Sequence, residues 1–241
     1  MKTILTIAGS DSCGGAGIQQ DLRTITSLHH YEATAITAIT SQNTIGVQAV
    51  MPVPADVLAS QLHSVLSDLH ADAVKIGMVP NKDCAHVIVE AIKDLRCPIV
   101  YDPVMVSTSG TRLMDEECIA YVCKNLFPLC TLITPNIPEH DIVATYLHTA
   151  YLLKGGHADG PDMVDTLWLP DGTTHSFASP RVSSSNLHGT GCCLSSAIAT
   201  YLACGLSLPE AVKEGKDVVT RAIERAKEIS VGKGNGPVLP L

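Results

Sequence analysis

The sequence predicts an α/β fold, a three-layer α/β/α sandwich on a mainly parallel sheet with an antiparallel hairpin at its edge. Three observations carry that expectation. Short apolar runs alternate with longer amphipathic stretches along the 241 residues, as strand–helix–strand crossovers require. Several of the runs are apolar on successive residues, as strands covered on both faces are. Pro170-Asp171-Gly172 separates two further runs, 165–169 and 173–177, a turn signal that makes them an antiparallel hairpin.

The runs expected to be strands are 3–8, 33–40, 73–76, 99–102, 131–134 and 151–154. Between them, Val57, Leu58, Leu62, Val65, Leu66 and Leu69 repeat at three and four, the spacing of one helix face. Asn81 can cap a helix whose inner face is Val87, Ile88, Ala91, Ile92 and Leu95. Ser207-Leu-Pro-Glu210 reads as a capping box with Pro209 in the first turn. After it, Ala211, Val212, Gly215, Val218, Val219, Ala222, Ile223 and Ala226 form one apolar stripe. No linker or low-complexity segment interrupts the pattern, so residues 1–241 are expected to form one domain.

Composition narrows the function. Apolar residues make up 46% and charged residues 17%, which supplies a core and disfavours long disorder. The net charge of -8 disfavours nucleic acid as a partner. A small phosphate ligand is still compatible, because backbone N–H groups at a helix start can hold one. Nine cysteines without a C-x-x-C pair suggest neither a disulfide framework nor a zinc ribbon, and fit reduced thiols in the cytoplasm. The N-terminal apolar run, 4–8, is too short for a signal segment, and no stretch approaches a membrane span.

Ligands of open α/β sheets sit beyond the carboxyl ends of the strands. There, Gly189 and Gly191 flank Thr190 ahead of a helix-forming run. Backbone amides at such a mouth make an anion hole suited to a transferring phosphoryl group. Cys192 falls in the first turn, where a thiol pKa is expected to drop; an ordinary glycine-rich helix entry fits the same spacing. The glycine-rich segment 9–17 satisfies neither the Walker nor the dinucleotide pattern. Asp102 with Asn136 and Glu139 can offer Mg²⁺ its oxygen ligands, although each read singly is equally a helix cap. Lys154 beside two glycines can reach a phosphate, and Gln42 and Met78 can contact a planar ring.

A set of motifs stands in order along nearly the whole chain, 3–238. They are Gly9-Ser-Asp11, Gly14-Gly-Ala-Gly-Ile-Gln19, Asp21-Leu22, Gln42-Asn43-Thr44, Lys75-Ile-Gly-Met78, Asp102-Pro-Val-Met105, Thr134-Pro-Asn-Ile-Pro-Glu139, Leu153-Lys-Gly-Gly-His157, His188-Gly-Thr-Gly-Cys192 and Val231-Gly-Lys-Gly-Asn-Gly-Pro237. On these the chain closely resembles the hydroxymethylpyrimidine/phosphomethylpyrimidine kinases of thiamine biosynthesis, in the ribokinase superfamily. The resemblance implies an ATP- and Mg²⁺-dependent kinase that phosphorylates 4-amino-5-hydroxymethyl-2-methylpyrimidine and then its monophosphate. It implies that Gly9, Asp21, Gln42, Met78 and Val104 line the pyrimidine pocket. It gives Asp102, Asn136 and Glu139 the Mg²⁺–phosphate end, and Lys154 and Lys233 the nucleotide. Gly189, Thr190 and Gly191 become the anion hole, and Cys192 stands where most ribokinase relatives carry an aspartate base. A homodimer is implied too.

Three departures from the family stand out. Ser12-Cys13 replaces a more usual Pro-Ser and is expected to loosen the first loop. Thr108 stands where many relatives carry Lys. Only 11 residues separate Glu139 from Tyr151, near the minimum for a right-handed crossover, where the family has a longer segment. Two other functions share these features: a pyridoxal kinase of the same fold, and a ligand-binding relative without turnover.

Overall fold

A computed structural model of the chain describes residues 1–106, 110, 112–155 and 162–240. Thr108, and the Gly156-His157 end of the Lys154 motif, lie outside the described residues.

The strands are β1 (Thr3–Asp11), β2 (Tyr31–Asn43), β3 (Gly46–Pro52), β4 (Ala73–Ile76), β5 (Ile99–Tyr101), β6 (Leu132–Ile133), β7 (Tyr151–Leu153), β8 (Asp162–Trp168) and β9 (Thr174–Pro180). They form one sheet in the order β3-β2-β1-β4-β5-β6-β7-β8-β9. The pairs from β2 through β1, β4, β5 and β6 to β7 are parallel. The expected hairpin is β8–β9, antiparallel, with Leu167 opposite His175. A second antiparallel hairpin, β2–β3, closes the opposite edge. It was not expected, because β3 carries little burial and no alternation to betray it.

The helices are α1 (Gly17–Ser27), α2 (Ala55–Leu66), α3 (Lys82–Ile92), α4 (Glu116–Asn125), α5 (Ile137–Val143), α6 (Thr190–Ala203) and α7 (Leu208–Ala226). Leu5, Ile7, Val74, Ile76 and Tyr101 pack one face of the sheet against α2, α3 and α4. Ile4, Ala73, Val100, Leu132 and Leu152 pack the other against α1, α6 and α7. Continuous burial along β4 and β5 follows from being covered on both sides.

The caps form as expected. Asn81 accepts from the Cys84 amide, and the Ser207 amide donates to Glu210. The shortened crossover is bridged by α5 and one 3-10 turn, Ala144–Tyr146, and still delivers β7 parallel to β6. No helix among the described residues is long and apolar enough to cross a membrane.

Candidate active site

A cavity of about 600 Å³ opens at the carboxyl ends of the parallel strands. Its floor and walls come from the segments after β1, β4, β5, β6 and β7 and from the start of α6.

The mouth of α6 is built by close packing of two loops. Gly189 caps the helix in the left-handed region, φ 81°, and a Cβ there would lie 1.9 Å from the Gly15 carbonyl oxygen. Only glycine fits such a position. Of the first amides of α6, that of Thr190 donates to the Leu187 carbonyl at 3.4 Å, while those of Gly191 and Cys192 have no intrahelical acceptor and belong to residues that line the cavity. A Cβ on Gly191 would lie 3.1 Å from Asp102 Oδ2 and 3.6 Å from Lys154 Nζ. An acid, a cation and a helix mouth therefore converge on one point.

Around that point the polar groups are tightly held. Lys154 Nζ donates to Asp102 Oδ1 at 2.6 Å, and Thr134 Oγ1 donates to the same oxygen at 3.1 Å. Burial works against the Lys154 charge, but the carboxylates of Asp102 and Glu139 outweigh it and hold the ammonium's pKa above its ordinary value. Burial also pushes the Glu139 carboxyl up to about 7, with Lys154 opposing and Asp102 reinforcing the rise. Asn136 and Glu139 form a reciprocal capping box at the start of α5. The Asn136 amide oxygen is occupied by the Glu139 amide. The Glu139 carboxylate accepts from the Asn136 backbone amide in return, and all three residues expected at the metal end line the cavity.

Oxygen donors from two carboxylates suit Mg²⁺, which keeps waters and substrate phosphates in its shell. Among the described residues no three His, Cys, Asp or Glu side chains form a protein-only metal cage. Asp102 and Glu139 thus fit the ion in the way nucleotide kinases use it.

Gly9, Gln42, Met78 and Val104 line the same cavity. Asp21 does not. It lies fully buried on α1 beneath the cavity, where both its oxygens accept from Lys75 Nζ at 2.8 Å and one accepts from Ser196 Oγ at 2.7 Å. The reason is its helix face: Gln20, Asp21, Thr24 and Ile25 all point inward. Lys233 is likewise set apart from the cavity-lining residues. It is exposed and outside the cavity lining, with its backbone amide donating to Thr44 Oγ1 in the β2–β3 turn.

Cys192 lines the cavity, but its ionisation runs opposite to the expectation. Burial pushes the thiol up to about 11; Lys75 pulls it down while Asp21 and Asp102 add to the rise. The helix start does not overcome that desolvation. Ser12 likewise pins the first loop rather than loosening it: its Oγ donates to the Gln42 carbonyl and accepts from the Gln42 amide, both at 2.9 Å.

Sequence reasoning missed a further pair. Lys216 Nζ on α7 donates to Asp165 Oδ2 at 2.6 Å, and the Gly155 amide donates to Asp165 Oδ1 at 2.8 Å. Both side chains line the cavity near Val219 and Ile223. The signal was legible: Lys216 lies beside Gly215 on an otherwise apolar helix face, and a charge there needs a buried partner.

The sequence profile of the phosphomethylpyrimidine kinase family matches residues 11–146 and 140–239, two stretches that overlap at the shortened crossover. The chain is 43% identical, over 98% of its length, to the thiamine biosynthesis bifunctional protein of Geobacter sulfurreducens, of which it spans about half, 51%. It is 41% identical, over 97% of its length, to the hydroxymethylpyrimidine/phosphomethylpyrimidine kinase of Rhizobium meliloti, of which it spans 95%. Among solved structures it is similar to phosphomethylpyrimidine kinase from Clostridium difficile, with TM-score 0.80 and 39% identity over 92% of this chain and 100% of that one. It is also similar to pyridoxal kinase from Staphylococcus aureus in complex with ADP, with TM-score 0.87 and 31% identity over 99% of this chain and 93% of that one.

Proposed function

The chain belongs to the phosphomethylpyrimidine kinase family, and from that premise we propose its reaction. It is a kinase that transfers the γ-phosphoryl group of ATP to the hydroxymethyl group of 4-amino-5-hydroxymethyl-2-methylpyrimidine, and a second phosphoryl group to the monophosphate. The observation that carries this reading is the convergence of Asp102, Lys154 and the α6 mouth on the space beside Gly191. Phosphoryl transfer needs little covalent help from a protein; it needs positioning and charge stabilisation, which is what this point offers.

The chain's own residues divide the work. Gly9, Gln42, Met78 and Val104 hold the flat ring. Gly189, Thr190 and Gly191 present backbone amides to the migrating group, and Lys154 neutralises charge on the same side. Asp102 and Glu139 would hold Mg²⁺, which supplies further neutralisation of phosphate oxygens when bound. Cys192 faces the acceptor hydroxyl. As a thiol near neutrality it orients that hydroxyl rather than standing ready as a base. In the second transfer the acceptor is already an ionised phosphate, so this help is not needed.

Two finer features belong to the same reading. A homodimer is supported by Ile39 and Met51, directly opposed on β2–β3 and 46% and 57% exposed on an edge of the sheet; sedimentation at twice the chain mass checks it. A cytoplasmic setting fits the unpaired cysteines.

A second reading, pyridoxal phosphorylation, is favoured by the likeness to pyridoxal kinases. Parallel assays with hydroxymethylpyrimidine, its monophosphate and pyridoxal test both. The pyrimidine pair is expected to give the larger kcat/KM; a preference for pyridoxal reverses the assignment, and no ATP-dependent transfer to any of the three removes the kinase reading.

A further inference from the structure

His188 and Asp11 meet across the cavity mouth, with His188 Nε2 2.9 Å from Asp11 Oδ2. The Asp11 carboxylate already accepts from the amides of Cys13, Gly15 and Ala16. Burial acts to raise its pKa, but the His188 contact and the amides of Cys13 and Ala16 outweigh burial and hold it below the ordinary range. A carboxylate without a proton can only accept, so the shared proton sits on His188 Nε2. That nitrogen then has no lone pair to offer.

Its other neighbour is the side-chain amide of Gln42. One terminal atom of that amide lies 3.1 Å from His188 Nε2. The other lies 3.1 Å from Thr40 Oγ1, which is itself 3.1 Å from the Ser10 carbonyl oxygen. An NH₂ turned toward His188 would set two donors against each other. With the amide reversed, no two donors face each other: one Gln42 N–H goes to Thr40 Oγ1, Thr40 O–H to the Ser10 carbonyl, and His188 Nε2–H is shared between Asp11 and the Gln42 oxygen. The arrangement is rigid. Ser12 pins the Gln42 backbone. The imidazole lies so close to Gly15 that a Cβ there would be 2.2 Å from Cδ2.

We propose that His188 is a specificity-positioning residue, whose Nε2–H, anchored by Asp11, fixes Gln42 with its carbonyl oxygen toward the imidazole and its NH₂ toward Thr40. The inference rests on the pyrimidine-kinase reading and deepens it. The pyrimidine carries an amine beside its hydroxymethyl carbon, whereas pyridoxal carries an aldehyde there. An amine donates and an aldehyde only accepts. A fixed Gln42 oxygen therefore welcomes the aminopyrimidine and leaves the aldehyde facing an unmatched acceptor. An amide free to rotate serves either.

Two measurements test this. In uniformly ¹⁵N-labelled native protein without ligand, the Gln42 NH₂ protons are expected to show NOEs to Thr40 and not to the His188 ring; the opposite pattern overturns the proposal. In His188→Phe, which keeps a ring over Gly15, the KM for hydroxymethylpyrimidine is expected to rise about tenfold with kcat held within about twofold, the size of one lost hydrogen bond. The KM ratio of pyridoxal to pyrimidine then falls by about the same factor. An unchanged ratio sinks the proposal. Native protein that binds neither compound by calorimetry defeats the pyrimidine-kinase reading instead, and the NOE pattern still decides the amide's orientation.

Discussion

Lys75–Asp21 and Lys154–Asp102 are the same chemical pair in two settings. In the first, both side chains are 0% exposed, and Ser196 seals the remaining side of the carboxylate. In the second, Lys154 keeps 17% exposure and Asp102 2%, and both abut the space beside Gly191. The sealed pair joins β4, α1 and α6; Lys75 borders the cavity, but its ammonium is spanned by both Asp21 oxygens, and Asp21 lies outside the lining. A pair with both partners on the cavity can trade partners with an anion. The difference teaches that access to both partners, more than charge or distance, separates structural from working ion pairs in this molecule.

Single substitutions can break that comparison. Asp102→Asn is expected to lower kcat/KM about a thousandfold, as removal of a central electrostatic group does, while costing about 1 kcal/mol of stability. Lys75→Met should do the reverse in kind. It strands the Asp21 carboxylate in the interior and costs about 3–5 kcal/mol, most of which Lys75→Met with Asp21→Leu recovers. Steady-state kinetics beside denaturant unfolding read both arms. If Lys75→Met folds at full stability and loses only turnover, the sealed pair is a working one and the distinction fails.

The neighbourhood of the sealed pair sharpens the point through pH. Both Glu32 oxygens, and Thr6 Oγ1 beside them, are buried without a well-formed hydrogen bond. Burial first, and the nearby Asp21 charge second, push the Glu32 carboxyl up to about 8. The folded protein thus keeps this proton where the unfolded chain releases it, and stability falls as pH rises from about 4.5 to about 8. Glu32→Gln removes that slope. Between pH 5 and pH 9 the variant should be spared a loss of about 2–4 kcal/mol. Thermal unfolding at the two pH values checks it; identical slopes in both proteins mean that Glu32 ionises freely.

How much of this was legible in the sequence depended on whether a residue's role is local. Caps were legible, since Asn81 and Ser207 act on amides a few positions away. So were β1, β4 and β5, whose burial leaves short runs apolar but for Thr6 and Lys75. Helix α1 was not, because its buried face is Gln20, Asp21 and Thr24 with one isoleucine, a polar stripe whose one charge, Asp21, is matched by the distant Lys75 and Ser196. The same blindness hid the buried pairing of Asp21 with Lys75. The setting of Lys233 was hidden for another reason: its glycine-rich segment is anchored to Thr44, a contact between distant parts of the chain that no spacing rule encodes.

Cys192 marks the boundary between these two kinds of information, and its effect should be the smallest. Position alone, in the first turn of α6, argues for a lowered pKa; burial, visible only once the fold is built, raises it to about 11. A residue that orients a hydroxyl contributes less than one that removes its proton, where roughly a hundredfold or more is usual. Cys192→Ala is therefore expected to slow the first phosphorylation about tenfold. The second should change less than about twofold, because an ionised phosphate needs no such orientation. Separate initial-rate assays with the alcohol and the monophosphate decide this. A loss of a thousandfold confined to the first step would make the sulfur a true base despite its burial. Equal losses in both steps would place its role in holding the helix mouth, alongside the Gly17 amide that donates to it.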